Sequence, residues 1–106
     1  MYKLSFYVPE SHLESVKTAV FAKGAGRYKA YDQCCWQVSG VGQFRPLANS
    51  EPFIGTPMQI EEVEEYQVEM ICTAELIGEV IQALLQAHPY EEPAYAVYKI
   101  LTLEDF

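Results

Sequence analysis

The sequence predicts an α+β fold in which one antiparallel sheet carries two helices on a single face. Three observations support this prediction. Strand and helix patterns follow one another as β-α-β twice, a hairpin rich in glycine and proline separates the two units, and 50% of the 106 residues are apolar. A chain of this length and composition can bury one core, so we expect a single domain over residues 1–106.

The first unit begins with a strand and a helix. Residues 2–8 alternate between apolar and polar side chains, which is the period of a strand with one buried face. Ser11 and Glu14 have the spacing of a capping box, so we expect the helix to begin there, and Gly24 is a typical C-terminal signal. Residues 28–41 then favour a second strand.

A long hairpin and the second unit follow. Residues 39–59 combine glycines and prolines with apolar side chains, and we expect them to form a protruding hairpin arm. Residues 62–72 alternate as a third strand. Thr73 is a suitable N-cap for the clearest amphipathic helix in the chain, whose apolar residues span positions 76–85, and residues 94–101 predict the last strand.

Two such units placed side by side make the split βαβ, or ferredoxin-like, domain. Its usual strand order, four-one-three-two, leaves the second and fourth strands at the edges. Both predicted edges are apolar, which is a liability unless they pair, and a closed ring that joins the second strand to a neighbour's fourth would remove them. We therefore predict a homotrimer. In the assembled protein we expect Phe44, Phe53 and Ile54 of the arm to be buried.

The net charge argues against two classes of partner, and the cysteine content indicates the cellular compartment. The formal net charge is −8, so phosphate backbones and acidic membrane surfaces would repel the protein, and we expect no nucleic acid or membrane partner. Cys34, Cys35 and Cys72 lack the C-x-x-C spacing and are odd in number, which fits a reducing compartment. The sequence shows no signal peptide and no apolar run long enough to span a membrane, so we predict a cytoplasmic protein.

The segment between the second helix and the last strand carries the candidate site. It contains an imidazole, two carboxylates and two tyrosines between restrictive prolines. The candidate ligand-binding residues are His88, Tyr90, Glu91, Glu92 and Tyr95. A β-turn at Pro89 would bring His88 and Glu91 together, and imidazole with carboxylate suits a divalent metal such as Zn or Cu. Alternatively, these two residues hold the turn by hydrogen bonds.

Catalytic interpretations are weaker. Cys34 or Cys35 as a nucleophile would need a base, and the predicted fold places His88 at the opposite edge of the sheet. In a strand these two cysteines would also point to opposite faces, which argues against a shared metal site. The acidic positions 61–65 are expected to be solvated. His12 is expected to be an exposed residue in the first turn of the first helix.

Several segments resemble the domain inserted in the middle of the YqfO proteins, which belong to the NGG-one interacting factor three family. The matching segments are residues 4–9, 24–26, 40–46, 53–55 and 87–95. Residues 88–91 also resemble part of CutA, the trimeric divalent-ion-tolerance protein. The resemblance implies a ferredoxin-like fold and a trimer. In full-length members the metal-binding histidines and acids lie in the halves that flank the inserted domain, so the resemblance does not imply their activity here.

Three functions are left open by the sequence. The first is a non-catalytic homotrimeric binding or regulatory module, with a divalent metal or small ligand bound near the 88–92 segment at a subunit interface. The second is a scaffold or protein-interaction module without a ligand. The third, a metal-dependent hydrolase, fits less well because His12 and His88 are the only histidines.

Overall fold

A computed structural model describes residues 1–106 and confirms the predicted α+β fold. The elements are β1 (Tyr2–Pro9), a 3₁₀ turn (Glu10–His12), α1 (Leu13–Ala22), β2 (Trp36–Phe44), β3 (Glu61–Cys72), α2 (Ile77–Ala87), β4 (Tyr95–Lys99) and a second 3₁₀ turn (Leu103–Asp105). The strands lie in the order β2-β3-β1-β4, and every neighbouring pair is antiparallel. The order matches the ferredoxin-like arrangement, with β2 and β4 at the edges.

The apolar face of β1 forms the centre of the core. Leu4, Phe6 and Val8 are fully buried, whereas Tyr7 on the other face is 40% exposed. The remaining core side chains are Leu13, Val16, Val20, Ala25, Val68, Met70, Cys72, Val80 and Leu84. Both helices contribute to this one cluster and therefore cover the same face of the sheet. The opposite face, called the open face below, has no helical cover.

The start of the first helix differs from the prediction. Pro9 leads into the 3₁₀ turn, so α1 begins at Leu13, and the capping box of Ser11 and Glu14 does not form. The Ser11 hydroxyl contacts Nδ1 of His12 at 2.8 Å instead. The end agrees with the prediction: Gly24 adopts a φ of 98°, which a residue with a Cβ rarely tolerates, and its N–H donates to the Phe21 carbonyl at 2.9 Å.

The second strand begins later and runs further than predicted. Lys29 and Gln33 have φ values of 52° and 55°, a left-handed conformation that is incompatible with a continuous strand. Cys34 and Cys35 consequently lie in an irregular segment before β2, not in the strand as predicted. Because β2 continues to Phe44, the hairpin arm consists of residues 45–60, and this segment is called the arm below.

The second helix begins at Ile77 without a side-chain cap, so the prediction that Thr73 is its N-cap is wrong. The Thr73 carbonyl instead accepts hydrogen bonds from the N–H groups of Leu76 and Ile77, which forms a turn ahead of the helix. Neither α1 nor α2 is long and apolar enough to cross a membrane.

Candidate functional site

The candidate site is built on residues 88–94, called the turn below, which connect α2 to β4. His88 is the first residue after α2 and has extended geometry, with φ −72° and ψ 137°. Pro89 explains this geometry, because proline disfavours the helical conformation of the residue before it. The His88 N–H still donates to the Leu84 carbonyl at 2.9 Å, so the ring is held at a fixed place beside the sheet.

Both ring nitrogens of His88 are hydrogen-bonded to the backbone. Nε2 lies 2.6 Å from the carbonyl oxygen of Tyr7 in β1, and Nδ1 accepts the N–H of Tyr90 at 3.1 Å. An atom that accepts an N–H carries no proton, so the ring is neutral and its single proton is on Nε2, which donates to Tyr7. Burial lowers the pKa of His88 and thus favours the same neutral form.

Tyr90 connects the turn to the third strand. Its hydroxyl donates to Oε2 of Glu65 at 2.9 Å. The Glu65 side chain lies over Gly42 of β2, where any Cβ would overlap its carboxylate. Burial, followed by the contact with Glu65, raises the pKa of the Tyr90 phenol, which therefore stays protonated. Gly42 is thus required for close packing against Glu65, a role that the sequence alone did not indicate.

Glu91 connects the turn to the arm. Both of its carboxylate oxygens accept the backbone N–H of Glu51, at 3.2 and 3.3 Å. Glu92 is exposed and has no hydrogen bond within the chain. The turn is therefore attached to three other parts of the molecule, through His88 to β1, through Tyr90 to β3 and through Glu91 to the arm.

Aromatic rings fill the space between the turn and the arm. The ring of Tyr90 lies 4.8 Å from that of His88, 6.3 Å from Phe44 and 6.4 Å from Phe53, measured between centroids. His12 contacts Phe53 edge-on at 5.5 Å. Phe44 is partly buried by these contacts, whereas Phe53 keeps 53% of its surface exposed within the single chain.

A cleft of about 550 Å³ lies between the arm and the turn, and it is called the arm–turn cleft below. Its lining includes Phe44, Arg45 and Phe53 from the end of β2 and the arm, Tyr90, Glu91 and Glu92 from the turn, and Tyr7 and Glu65 from the sheet. The cleft combines an aromatic wall with one cation and several acidic groups. Such a lining can hold a small organic molecule and orient its polar groups.

The structure brings together only part of the predicted site. Tyr90, Glu91 and Glu92 line the cleft, and His88 lies next to Tyr90. Tyr95 is outside the cleft lining, because it belongs to β4 and is paired with Phe6. No group of three or more histidine, cysteine or acidic side chains is close enough to hold a metal ion.

Sequence reasoning missed two residues of the cleft. Glu65 was expected to be solvated, but it is partly buried against Tyr90, so this expectation is wrong for Glu65. Arg45 was not considered, although it is the one cation in the cleft lining. For Glu65, Gly42 shows the close approach only in the structure, because Gly40 two residues away has no neighbour near it; for Arg45 the sequence carried no signal.

Comparison with solved structures defines the class of fold. CutA from Xylella fastidiosa superposes with a TM-score of 0.70 at 19% identity, covering 98% of this chain and 88% of that one. The periplasmic divalent cation tolerance protein CutA from Archaeoglobus fulgidus gives a TM-score of 0.67 at 16% identity, covering 94% of this chain and 84% of that one. The chain therefore has the CutA-like variant of the ferredoxin-like fold.

Sequence relatives are more specific, and they confirm the predicted resemblance to the NIF3/YqfO family. A GTP cyclohydrolase 1 type 2 homolog from Mycobacterium leprae is 40% identical over 99 residues, which cover 93% of this chain and 26% of the relative. The homolog from Bacillus subtilis is 38% identical over 98 residues, covering 92% and 26%. A NIF3-related protein from Bacillus cereus superposes with a TM-score of 0.79 at 39% identity, covering 92% of this chain and 24% of that one.

The chain spans about a quarter of the length of the curated relatives that it matches. The similarity therefore concerns one segment of those longer proteins. No protein-family model matches the chain.

Proposed function

We propose that this chain is a non-catalytic, homotrimeric binding module of the cytoplasm, and that it binds a small ligand in the arm–turn cleft. One observation carries the proposal: three of the residues that the sequence singles out, Tyr90, Glu91 and Glu92, line the same cleft of about 550 Å³. This volume lies within the range of small-molecule sites. The free thiols of all three cysteines suit a reducing compartment.

The exposed edges of the sheet support the trimer. Trp36 and Val41 on β2 are 59% and 69% exposed, and Tyr98 on β4 is 55% exposed. Unpaired apolar edge strands favour association with another chain. If β4 of a neighbour extends the antiparallel sheet at β2, the neighbour's turn comes to lie beside the arm, where it can cover Phe53. The cleft would then lie at a subunit boundary.

The protonation states at the site support a binding role over catalysis. His88 would have to break its bond from the Tyr90 N–H before its free nitrogen could accept a proton from a substrate. The Tyr90 phenol is held in its protonated form by burial and by Glu65. The cyclohydrolase activity in the names of the longer relatives is accordingly not part of this proposal.

Divalent metal binding through His88 and Glu91 is a separate prediction, and it carries a definite structural cost. A metal bound to the ring would displace either the Tyr90 N–H or the Tyr7 carbonyl, and a metal bound to Glu91 would compete with the Glu51 N–H. Titration with ZnCl₂ tests the prediction. Uptake that is lost in both His88→Gln and Glu91→Gln would support it, and uptake that neither change affects would contradict it.

The small-ligand proposal can be tested by a fragment screen followed with ligand-observed NMR. We expect fragments that bind the wild-type protein to lose binding in Phe53→Asp, which places a charge in the aromatic wall. Leu103→Asp is the matched control, because Leu103 is 88% exposed and lies outside the cleft. Binding that survives Phe53→Asp would place the ligand elsewhere, and the absence of any bound fragment would favour the scaffold alternative.

A further inference from the structure

The arm–turn cleft carries more negative than positive charge. Its lining contains three carboxylates, those of Glu65, Glu91 and Glu92, and one guanidinium, that of Arg45. Three negative charges and one positive charge leave a formal net charge of −2. Both ion pairs of the chain lie elsewhere and use none of these four groups. The excess negative charge of the cleft is therefore not neutralised by a cation of the chain.

The hydrogen bonds of these carboxylates leave their charge in place. Glu65 lies three residues before buried Val68 in β3, so it belongs to the open face, where it accepts the Tyr90 hydroxyl at 2.9 Å. Glu91 accepts a backbone N–H of the arm. Both donors are neutral groups, and exposed Glu92 has no hydrogen bond within the chain. A cleft lined by one sign of charge attracts ligands of the opposite sign.

Three aromatic rings form the apolar wall of the same cleft. The ring of Tyr90 lies 6.3 Å from Phe44 and 6.4 Å from Phe53, with interplanar angles of 48° and 45°. The rings are thus tilted and not stacked, and Phe53 keeps 53% of its surface exposed. The face of an aromatic ring is its negative side and attracts a cation that lies within about 6 Å of the ring centre. The aromatic wall and the carboxylates therefore favour the same charge in a ligand.

Two other classes of ligand fit the cleft less well. An anion could pair with Arg45, but it would lie in a cleft that also holds three carboxylates, and these would repel it. A metal ion needs several converging ligands, and no group of three or more histidine, cysteine or acidic side chains is close enough to hold one. A metal ion would also leave the aromatic wall without a contact.

We propose that the ligand of the arm–turn cleft is an organic cation, namely a primary amine carried by an aromatic or aliphatic body. The proposal rests on the small-ligand function proposed above and adds the charge of the ligand. The body would pack against Phe44 and Phe53, and the ammonium group would donate to the carboxylates of Glu91 and Glu92 in the turn. An ammonium group has donors and no acceptor, which suits a set of carboxylates.

Three probes with one skeleton and different charges test the proposal. Phenethylamine, phenethyl alcohol and hydrocinnamate share a phenyl ring and a two-carbon chain, and at neutral pH they are a cation, a neutral molecule and an anion, respectively. In ligand-observed NMR titrations we expect the amine to bind at least about tenfold more tightly than either of the other two probes. Charge-assisted hydrogen bonds and cation–π contacts together reach this magnitude.

Substitutions of single charges show whether the preference arises in the cleft. We expect Glu92→Gln to weaken the binding of phenethylamine about twofold to fivefold, the range for one exposed ion pair, and to leave the binding of phenethyl alcohol unchanged. Arg45→Gln should strengthen the binding of the amine, because it removes a cation that repels the ligand. Glu104→Gln is the matched control, since Glu104 is exposed, lies outside the cleft and loses the same charge.

Equal affinities for the three probes, tighter binding of hydrocinnamate, or no binding of phenethylamine would each overturn the cationic ligand. An affinity for the amine that Glu92→Gln lowers no more than Glu104→Gln would overturn it too, because the effect would then come from the net charge of the protein. The fragment screen described above tests the cleft separately. A neutral or anionic fragment that loses binding in Phe53→Asp, combined with any of these results, would contradict the cationic ligand and still support the small-ligand function.

Discussion

At the residue scale, His88 is the clearest example of a side chain whose protonation is set by the fold. Its Nε2 donates to the backbone carbonyl of Tyr7, and its Nδ1 accepts the backbone N–H of Tyr90. An imidazolium would present two donors and could no longer accept the Tyr90 N–H. Burial has the largest effect on the pKa of His88 and lowers it; the Tyr7 carbonyl and the charge of Glu65 raise this pKa, and the charge of His12 lowers it.

This arrangement predicts a dependence of stability on pH. The pKa of His88 is lowered in the folded protein from its ordinary value of 6.5, so below that pH the unfolded chain binds protons more readily and stability falls as the pH falls. His88→Gln should cost about 1–3 kcal/mol at pH 7.5, because it removes a buried hydrogen-bonding group. Chemical denaturation should show that the loss of unfolding free energy caused by His88→Gln becomes smaller as the pH falls below 6.5. A cost of His88→Gln that stays constant with pH would contradict this prediction.

Gly42 gives a second prediction at this scale. Gly42→Ala forces the Glu65 carboxylate away from β2 and from the Tyr90 hydroxyl, so it should lower the free energy of unfolding by about 1 kcal/mol, the usual net worth of one hydrogen bond. Gly40→Ala should have little effect, since nothing lies near its added methyl group. In a Tyr90→Phe background the cost of Gly42→Ala should largely disappear, which a double-mutant cycle measures. Equal costs in both backgrounds would show that Glu65 and Tyr90 are not coupled.

At the scale of elements, the strands and helices could be predicted because their signals are local. The alternation in residues 2–8 predicted β1 to within one residue, and the four-residue spacing in positions 76–85 predicted α2. Local signals predicted the wrong boundary where adjacent residues adopt another conformation. Pro9 is followed by a 3₁₀ turn, so the predicted capping box does not form at the start of α1. Two residues with left-handed φ values interrupt the predicted second strand, so β2 begins only after them.

The contacts of the site could not be predicted in the same way. The partners Glu65 and Tyr90 are 25 residues apart, and Glu51 and Glu91 are 40 residues apart, so no local pattern relates them. The sequence identified the turn by its composition and its prolines. It could not identify what the turn contacts, because those contacts depend on the path of the arm.

The arm and the turn should open together, and Glu91 tests this at the scale of elements. Glu91→Gln weakens the acceptor for the Glu51 N–H, so hydrogen exchange in residues 45–60 should become roughly twofold to tenfold faster, the range for a net hydrogen bond of about 0.5–1.5 kcal/mol. Glu92→Gln is the matched control, since it removes one neighbouring charge and no hydrogen bond. Equal exchange in the two variants would mean that Glu91 does not hold the arm.

At the scale of the whole molecule, the single chain leaves many apolar side chains exposed. Those at the edges and on the arm include Trp36, Val41, Phe53, Ile60 and Tyr98. A net charge of −8 makes copies of the chain repel one another, but it does not remove the benefit of covering these groups. A ring closed through β2 and β4 would cover both edges of every copy with one repeated contact, whereas an open fibre would leave a free edge at each end.

The most direct test of the account is the mass of the assembly, measured by size-exclusion chromatography with multi-angle light scattering at micromolar concentration. We expect three times the chain mass of 12.0 kDa for the wild-type protein. We also expect a shift toward 12.0 kDa for Tyr98→Asp, because this change places a charge on the exposed edge strand β4. A wild-type mass of one chain would contradict the edge-to-edge trimer and, with it, the position of the ligand cleft at a subunit boundary.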